Sequence, residues 1–300
     1  MSRATACAAA IVLLALVGCG GSAAHEVTVA PTDRASTEPS VEESLVVERP
    51  GLRRGLTSIE RGAIELLIRA AERVRGLTFV RPVAVEVHDE QRISEQLARD
   101  LAKENLVEKR EIYAALGLID EGVDFEALIT SVLSEQVVGY YDPEERRLVV
   151  RDDVMRRLGR IAGGLDEARV VLVHELVHAL QDQRLELGLR ISEERDSDPA
   201  TAYRSVIEGD ATLAMVGYAA ALENHSLELI TQNESALGSI TSAPPPSSGE
   251  ALERAPAILR VSLIAPYIRG LSFVAWLHGQ GGWNAVDGAH RRLPASTEQV

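Results

Sequence analysis

Two histidines stand four residues apart inside an apolar run, Val170-Val171-Leu172-Val173-His174-Glu175-Leu176-Val177-His178-Ala179-Leu180. On a helix that spacing sets both imidazoles on one face, one turn apart, where they can reach a common ion. Glu175, next to His174, is placed to act on water at the metal without itself binding it. Neutral imidazole is a good ligand for zinc, whose catalytic sites combine three N or O donors with one open position. The surrounding apolar residues predict a buried helix. Two imidazoles and a carboxylate are costly to bury unless something pairs with them. A metal would satisfy all three; ordinary hydrogen bonds between core side chains are the alternative.

A third protein ligand must come from elsewhere. Gln181 and Arg184 occupy the positions where one group of zinc sites carries Gly and a third His. Glu186 lies two turns beyond His178, and Glu193 and Glu194 sit in a charged run that reads as solvated loop. Glu208 is the better candidate, because Ser205-Val206-Ile207-Glu208-Gly209-Asp210-Ala211-Thr212 is an apolar, small-residue helix in which a carboxylate needs a partner. Gly209 would let that helix come close to the helix bearing the motif. Asp210 and Asp182 are candidates to orient the ligand histidines, since such ligands generally hand their second nitrogen to an acceptor. The hydroxyls of Tyr140, Tyr141, Tyr203 and Tyr218 read as packing. So do Trp276 and Trp283, as core or interface anchors, while His225, His278 and His290 read as surface.

The elements that must position these residues can be read along the chain. Thr57-Ser58-Ile59-Glu60 is a capping signal before a helix with Ile64, Leu67, Ile68 and Ala71 on one face. Val83, Val85 and Val87 alternate as a short strand. Residues 90–116 and 125–133 look helical. Val137–Tyr141 and Leu148–Arg151 flank Asp142-Pro143-Glu144-Glu145 as a hairpin. Helices follow at 166–186 and 199–224, then a polar surface loop over 231–256 containing Pro244-Pro245-Pro246. A last apolar helix spans 259–278, ended by Gly279, Gly281 and Gly282, with room for a short helix after it. The sum is an α+β class: a mainly helical domain over 51–300 with a small mixed sheet and a hairpin ahead of the motif helix. The abrupt stop at Val300 raises the expectation of a truncated domain.

Of the 300 residues, 31 are basic and 45 acidic, a net charge of −14. Phosphate binding needs clustered Lys and Arg, so nucleic acid is not expected as a partner. Arg3 precedes an apolar run over 8–17, too short to span a bilayer and suited to a signal peptide over 1–18. Leu16-Val17-Gly18-Cys19 resembles the lipobox of bacterial lipoproteins, which implies lipid on Cys19, a membrane anchor, and an extracytoplasmic place in the cell envelope. An ordinary signal peptide is the alternative. Residues 19–50 then form a lipidated start and a disordered tether. Cys7 and Cys19 are the two cysteines, and neither would remain free for a disulfide.

His174-Glu175-x-x-His178 followed by Glu208-Gly209-x-Ala211 resembles the gluzincin zinc peptidases. Pro266-Tyr267-Ile268-Arg269-Gly270, with Phe273 and Gly281-Gly282-Trp283, is similar to a helix of the alanyl aminopeptidase branch. The run through Gln181-Asp182-Gln183 also resembles a set of uncharacterised bacterial metallopeptidase-like lipoproteins. The resemblance spans roughly 130–300. It implies a zincin-like domain, one Zn²⁺ on His174, His178 and Glu208, peptide-bond hydrolysis with Glu175 as general base, and Tyr267 stabilising the transition state. The Gly-x-Met-Glu-Asn segment by which the aminopeptidases grip a free amino terminus is absent, which favours endopeptidase over exopeptidase action. The gap from His178 to Glu208 is longer than in the aminopeptidases and leaves a loop near 187–198. The hairpin strand could take an extended peptide or protein substrate as an added strand. Other zinc hydrolases (amidase or esterase) and a non-catalytic metal- or peptide-binding lipoprotein are the competing functions.

Overall fold

A computed structural model of the chain describes residues 53–102, 104–158, 160, 166–185, 198–242 and 250–300. The expected signal peptide, Cys19 and tether lie outside the described residues, as do Glu186, Glu193, Glu194, the loop up to 197 and Pro244-Pro245-Pro246.

The chain is mostly helical with one small mixed sheet, an α+β arrangement. In chain order its elements are β1 (Arg53–Arg54), α1 (Ser58–Arg75), β2 (Ala84–His88), α2 (Glu90–Leu101), α3 (Leu106–Ala115) and α4 (Phe125–Gln136). There follow β3 (Gly139–Asp142), β4 (Arg147–Arg151), α5 (Asp152–Leu158), α6 (Glu167–Leu185) and α7 (Asp198–Leu222). The described chain ends with α8 (Leu227–Thr231), α9 (Glu234–Ser242), α10 (Glu250–Arg254) and α11 (Ala257–Arg291), and a single 3₁₀ turn, Thr297–Gln299.

Local chemistry explains most starts and stops. The capping box forms as expected: Thr57 accepts from the Glu60 amide, and the Glu60 carboxylate accepts from the Thr57 amide. Asp89, Asn105 and Asp124 cap α2, α3 and α4, each side chain accepting from the amide three residues on. The run over 90–116, read as helical throughout, is two helices, with Asn105 capping the second. One further expectation needs correction. Much of the polar stretch 231–256 is short helix, α9 and α10, rather than loop; α9 shows a face of Leu237 and Ile240 to the core, a pattern short enough to be lost among its serines and threonines. In the last helix the glycines break the chain as expected, and a further helical segment follows, to Arg291. The break falls at Gly281 and Gly282, and Gly282 adopts φ 61° and ψ −159°, a conformation open essentially to glycine alone.

The sheet has the order β1-β2-β4-β3. β2 runs parallel to β4, while β1–β2 and β3–β4 are antiparallel. The β3–β4 hairpin turns where Asp142 accepts from the amides of Glu144 and Glu145, both at 3.0 Å. β3 therefore lies at the sheet edge, and its residues are buried beside α6.

At the centre lies α6, buried without interruption from Val170 to Gln181. It packs against α1 and α7 as well as β3. α7 is buried from Ser205 to Ala219, and α11 lies along it. Although α11 is long and apolar enough to cross a membrane, it lies against α7 and carries Tyr267 and His290 into the interior.

α7 and α11 come into backbone contact. A Cβ on Gly209 would overlap the backbone of Gly270, and one on Gly270 would overlap the Ser205 carbonyl. Gly209 was expected to bring α7 against α6. The structure instead uses it against α11, because two facing glycines allow backbone contact whereas the α6 face carries histidines that fill the gap.

Candidate metal centre

His174 and His178 project from successive turns of α6, with their Nε2 atoms 3.0 Å apart. Glu208 of α7 completes a triangle, its Oε2 lying 3.3 Å from each Nε2. All three residues are buried, and this is the group of potential ligands among the described residues that could hold a metal ion. A four-coordinate ion with bonds near 2 Å keeps its donors about 3.3 Å from one another. The observed triangle has that size. Donors so close and so dry would otherwise repel through their lone pairs, unless protons lay between them.

The electrostatics show the same tension. Burial alone would push His178 down, but Glu208 outweighs it and raises the imidazole to about 9. Burial would raise Glu208, yet the two imidazoles, His178 foremost, hold it at about 2. His174 is lowered by burial and by its neighbour His178. The metal-free cluster thus holds a proton on His178 against an ionised Glu208.

Glu175 is wholly buried. One of its oxygens accepts from the Tyr141 amide at 2.9 Å, while Oε1 has no hydrogen-bond partner among the described residues. Burial raises its pKa to about 8. Because Arg151 donates to the Val138 carbonyl, alternation along β3 turns the Gly139 and Tyr141 amides outward. The edge of the sheet thus anchors Glu175.

Tyr267 of α11 is 1% exposed, and its ring lies 6.1 Å from that of His174, inclined by 28°. Its hydroxyl has no well-formed hydrogen bond among the described residues. Burial and the nearby carboxylates of Glu208 and Glu175 push it well above the ordinary tyrosine range, so it stays a donor. Pro266 sits in the helix beside it, and the Gly209–Gly270 contact sets how near Tyr267 stands to Glu208.

Two candidate orienting residues meet different fates. Asp182 does not touch a ligand histidine: it accepts from the Tyr141 hydroxyl at 2.9 Å, tying β3 to α6. It lies four residues beyond His178, but its side chain is drawn to the hairpin instead. Asp210 does face the centre, at one remove. It accepts from Gln181 Nε2 at 3.0 Å, and Gln181 Oε1 lies 2.8 Å from His178 Nδ1. Asp210 also accepts from Arg75 Nε at 2.5 Å and His290 Nε2 at 2.8 Å. Arg75 further bonds Asp287 and lies 4.5 Å from the Trp283 ring centroid.

His290 and His278 are therefore buried rather than at the surface. For His290 the reason is Asp210. His278 packs edge-on to Trp283, their centroids 4.8 Å apart. Trp276 is 57% exposed and anchors no core, whereas His225 is exposed as expected. Gln181 escaped notice because it fills the position where another zinc pattern fails, though its place three residues after His178 puts it on the same helix face. Arg75 gave no signal, being one of several charges in the last turn of α1. Comparison of the chain with protein-family models, curated proteins and solved structures gives no match.

Proposed function

We propose that this chain is a zinc-dependent peptidase of the gluzincin type, most simply an endopeptidase. It is carried on the extracytoplasmic side of a bacterial envelope by lipid at Cys19. The observation that carries the reading is the pairing of a closed triangle of donors with a buried glutamate that keeps one oxygen unengaged. Two imidazoles and a carboxylate suit zinc among the common ions. Zinc bound there would polarise a scissile carbonyl and acidify water.

The chain's own groups supply the rest. Glu175, held by the Tyr141 amide and poised near neutrality, accepts a proton from the attacking water and passes it to the leaving amine. Tyr267, kept protonated by its surroundings, donates to the carbonyl oxygen as charge develops there. An extended peptide would run beside β3, whose Tyr141 amide is already engaged by Glu175. A carboxylate that only had to help bind metal would not need the placement of Glu175, which favours catalysis over mere binding.

The test is zinc content followed by turnover. About one zinc per chain is expected. His174→Ala, His178→Ala and Glu208→Ala should each lose it, whereas Glu175→Gln should retain zinc and lose at least about 10²-fold in peptide cleavage. Full zinc content in Glu208→Ala would remove that residue from the ligand set. Cleavage of esters or amides in preference to peptides would redirect the substrate class.

A further inference from the structure

The two ligand histidines are treated differently at their outer nitrogens. His174 Nδ1 has no hydrogen-bond partner among the described residues. His178 Nδ1 faces Gln181 Oε1 at 2.8 Å. The Gln181 side chain is fully buried, and its Nε2 lies 3.0 Å from both the Ile207 carbonyl oxygen and Asp210 Oδ2.

An amide can in general be turned end for end, so its orientation must be argued from its neighbours. Here only one orientation works. The Ile207 carbonyl can only accept. Asp210 already accepts from Arg75 and His290 and is ionised beside the guanidinium. A reversed amide would aim its oxygen at two acceptors and strand its own protons. The oxygen therefore faces His178, and since it can only accept, Nδ1 must carry a proton. When His178 gives up its second proton to become a ligand, the lone pair is therefore left on Nε2, the nitrogen turned toward His174 and Glu208.

We propose that Gln181 is a positioning residue that fixes the tautomer and ring orientation of His178, with Asp210 as the clamp that fixes Gln181. The proposal rests on the reading of His178 as a metal ligand. It assigns the orienting carboxylate to a place one residue behind its usual position against a ligand histidine. A neutral amide intervenes, so the anionic charge touching the ligand set comes from Glu208 alone. The centre keeps more net positive charge than it would with a carboxylate at position 181, and more power to polarise what binds there. His174, with no such partner, is oriented by packing against Tyr267 instead.

The test uses purified chain labelled with ¹⁵N-histidine, with zinc and cobalt(II) as probes. A slowly exchanging proton on His178 Nδ1 is expected with and without metal, and it should vanish in Gln181→Leu. The same substitution should weaken zinc binding by roughly 10–100-fold against a competing chelator and shift the cobalt(II) visible bands, with helical content unchanged. A metal-loaded wild type whose His178 carries its proton on Nε2 overturns the proposal. So does a Gln181→Leu variant that binds zinc as tightly as wild type. If Gln181→Leu does not fold, the wild-type spectrum decides alone. A wild type that binds no metal removes the metal reading, while the Nδ1 proton still reports whether Gln181 holds His178.

Discussion

Glu175, His178 and Glu208 give the metal-free protein a pH dependence whose direction can be worked out residue by residue. Glu175 rises from 4.5 to about 8 on folding, so the fold favours its protonated form. The stability this confers is full below 4.5 and is lost as pH climbs through 8. His178 acts in the same sense between 6.5 and about 9. Glu208 acts oppositely: lowered from 4.5 to about 2, it contributes above 4.5 and fails as pH falls through 2. Metal-free protein should thus be most stable near pH 4.5 and lose stability steadily above it, first through Glu175 and then through His178 as well, read by urea denaturation across pH. Glu175→Gln keeps an acceptor for the Tyr141 amide but cannot ionise. Its stability should stay flat from pH 4.5 to about 6.5 and fall less steeply than wild type above that. An unchanged slope would mean that Glu175 ionises as freely in the fold as outside it. At this scale the chain is legible where chemistry is local: His174, Glu175 and His178 declare themselves by spacing, and Glu208 by being a carboxylate among alanines and valines. Gln181 is silent because an amide after a metal motif looks like any polar helix residue until its neighbours are known.

The pair Gly209 and Gly270 shows what one interface between elements does for the site. Glu208 precedes the first glycine and Tyr267 lies one turn before the second, so the backbone contact between α7 and α11 sets the separation of carboxylate and hydroxyl. Gly270→Ala should push the helices apart and cost on the order of 1–3 kcal/mol or more in stability. Gly209→Ala should do the same and also weaken metal binding, because it displaces Glu208. Zinc affinity measured by chelator competition, beside thermal unfolding, separates the two effects. Unchanged stability in both variants would show that the helices have slack. Caps, hairpin and helix periods are short-range signals, and they mark α1, β2, the β3–β4 hairpin, α6 and α7 well. Which helix a small residue serves is a long-range matter, and Gly209 accordingly meets α11 rather than α6. The short helices at 234–242 and 250–254 are hidden for a related reason, since their few apolar contacts belong to partners far along the chain.

Across the whole molecule, Arg75 and Asp210 form an ion pair with both side chains fully buried. It gathers α1, α6, α7 and the second half of α11 through Gln181, Asp287 and His290. Removing one member of such a pair leaves a buried charge uncompensated, so Arg75→Met should cost ~3–5 kcal/mol in urea denaturation of the metal-free protein. A loss below about 1 kcal/mol would mean that His290 alone satisfies Asp210. None of this is visible in the sequence, where Arg75 and Asp210 stand 135 residues apart. The glycine break in α11 gives this network an order in time. Residues beyond Gly282 turn back to bring Asp287 to Arg75 and His290 to Asp210, and they are made after every proposed ligand. A nascent chain carries His174, His178, Glu208 and Asp210 well before Asp287 and His290 can complete the network around the Arg75–Asp210 pair. Chains released before Asp287 should be open to protease and poor at retaining zinc, although every proposed ligand is present. Metal capture would then wait on the helical segment beyond the glycine break, a built-in check that the polypeptide has been made at least that far.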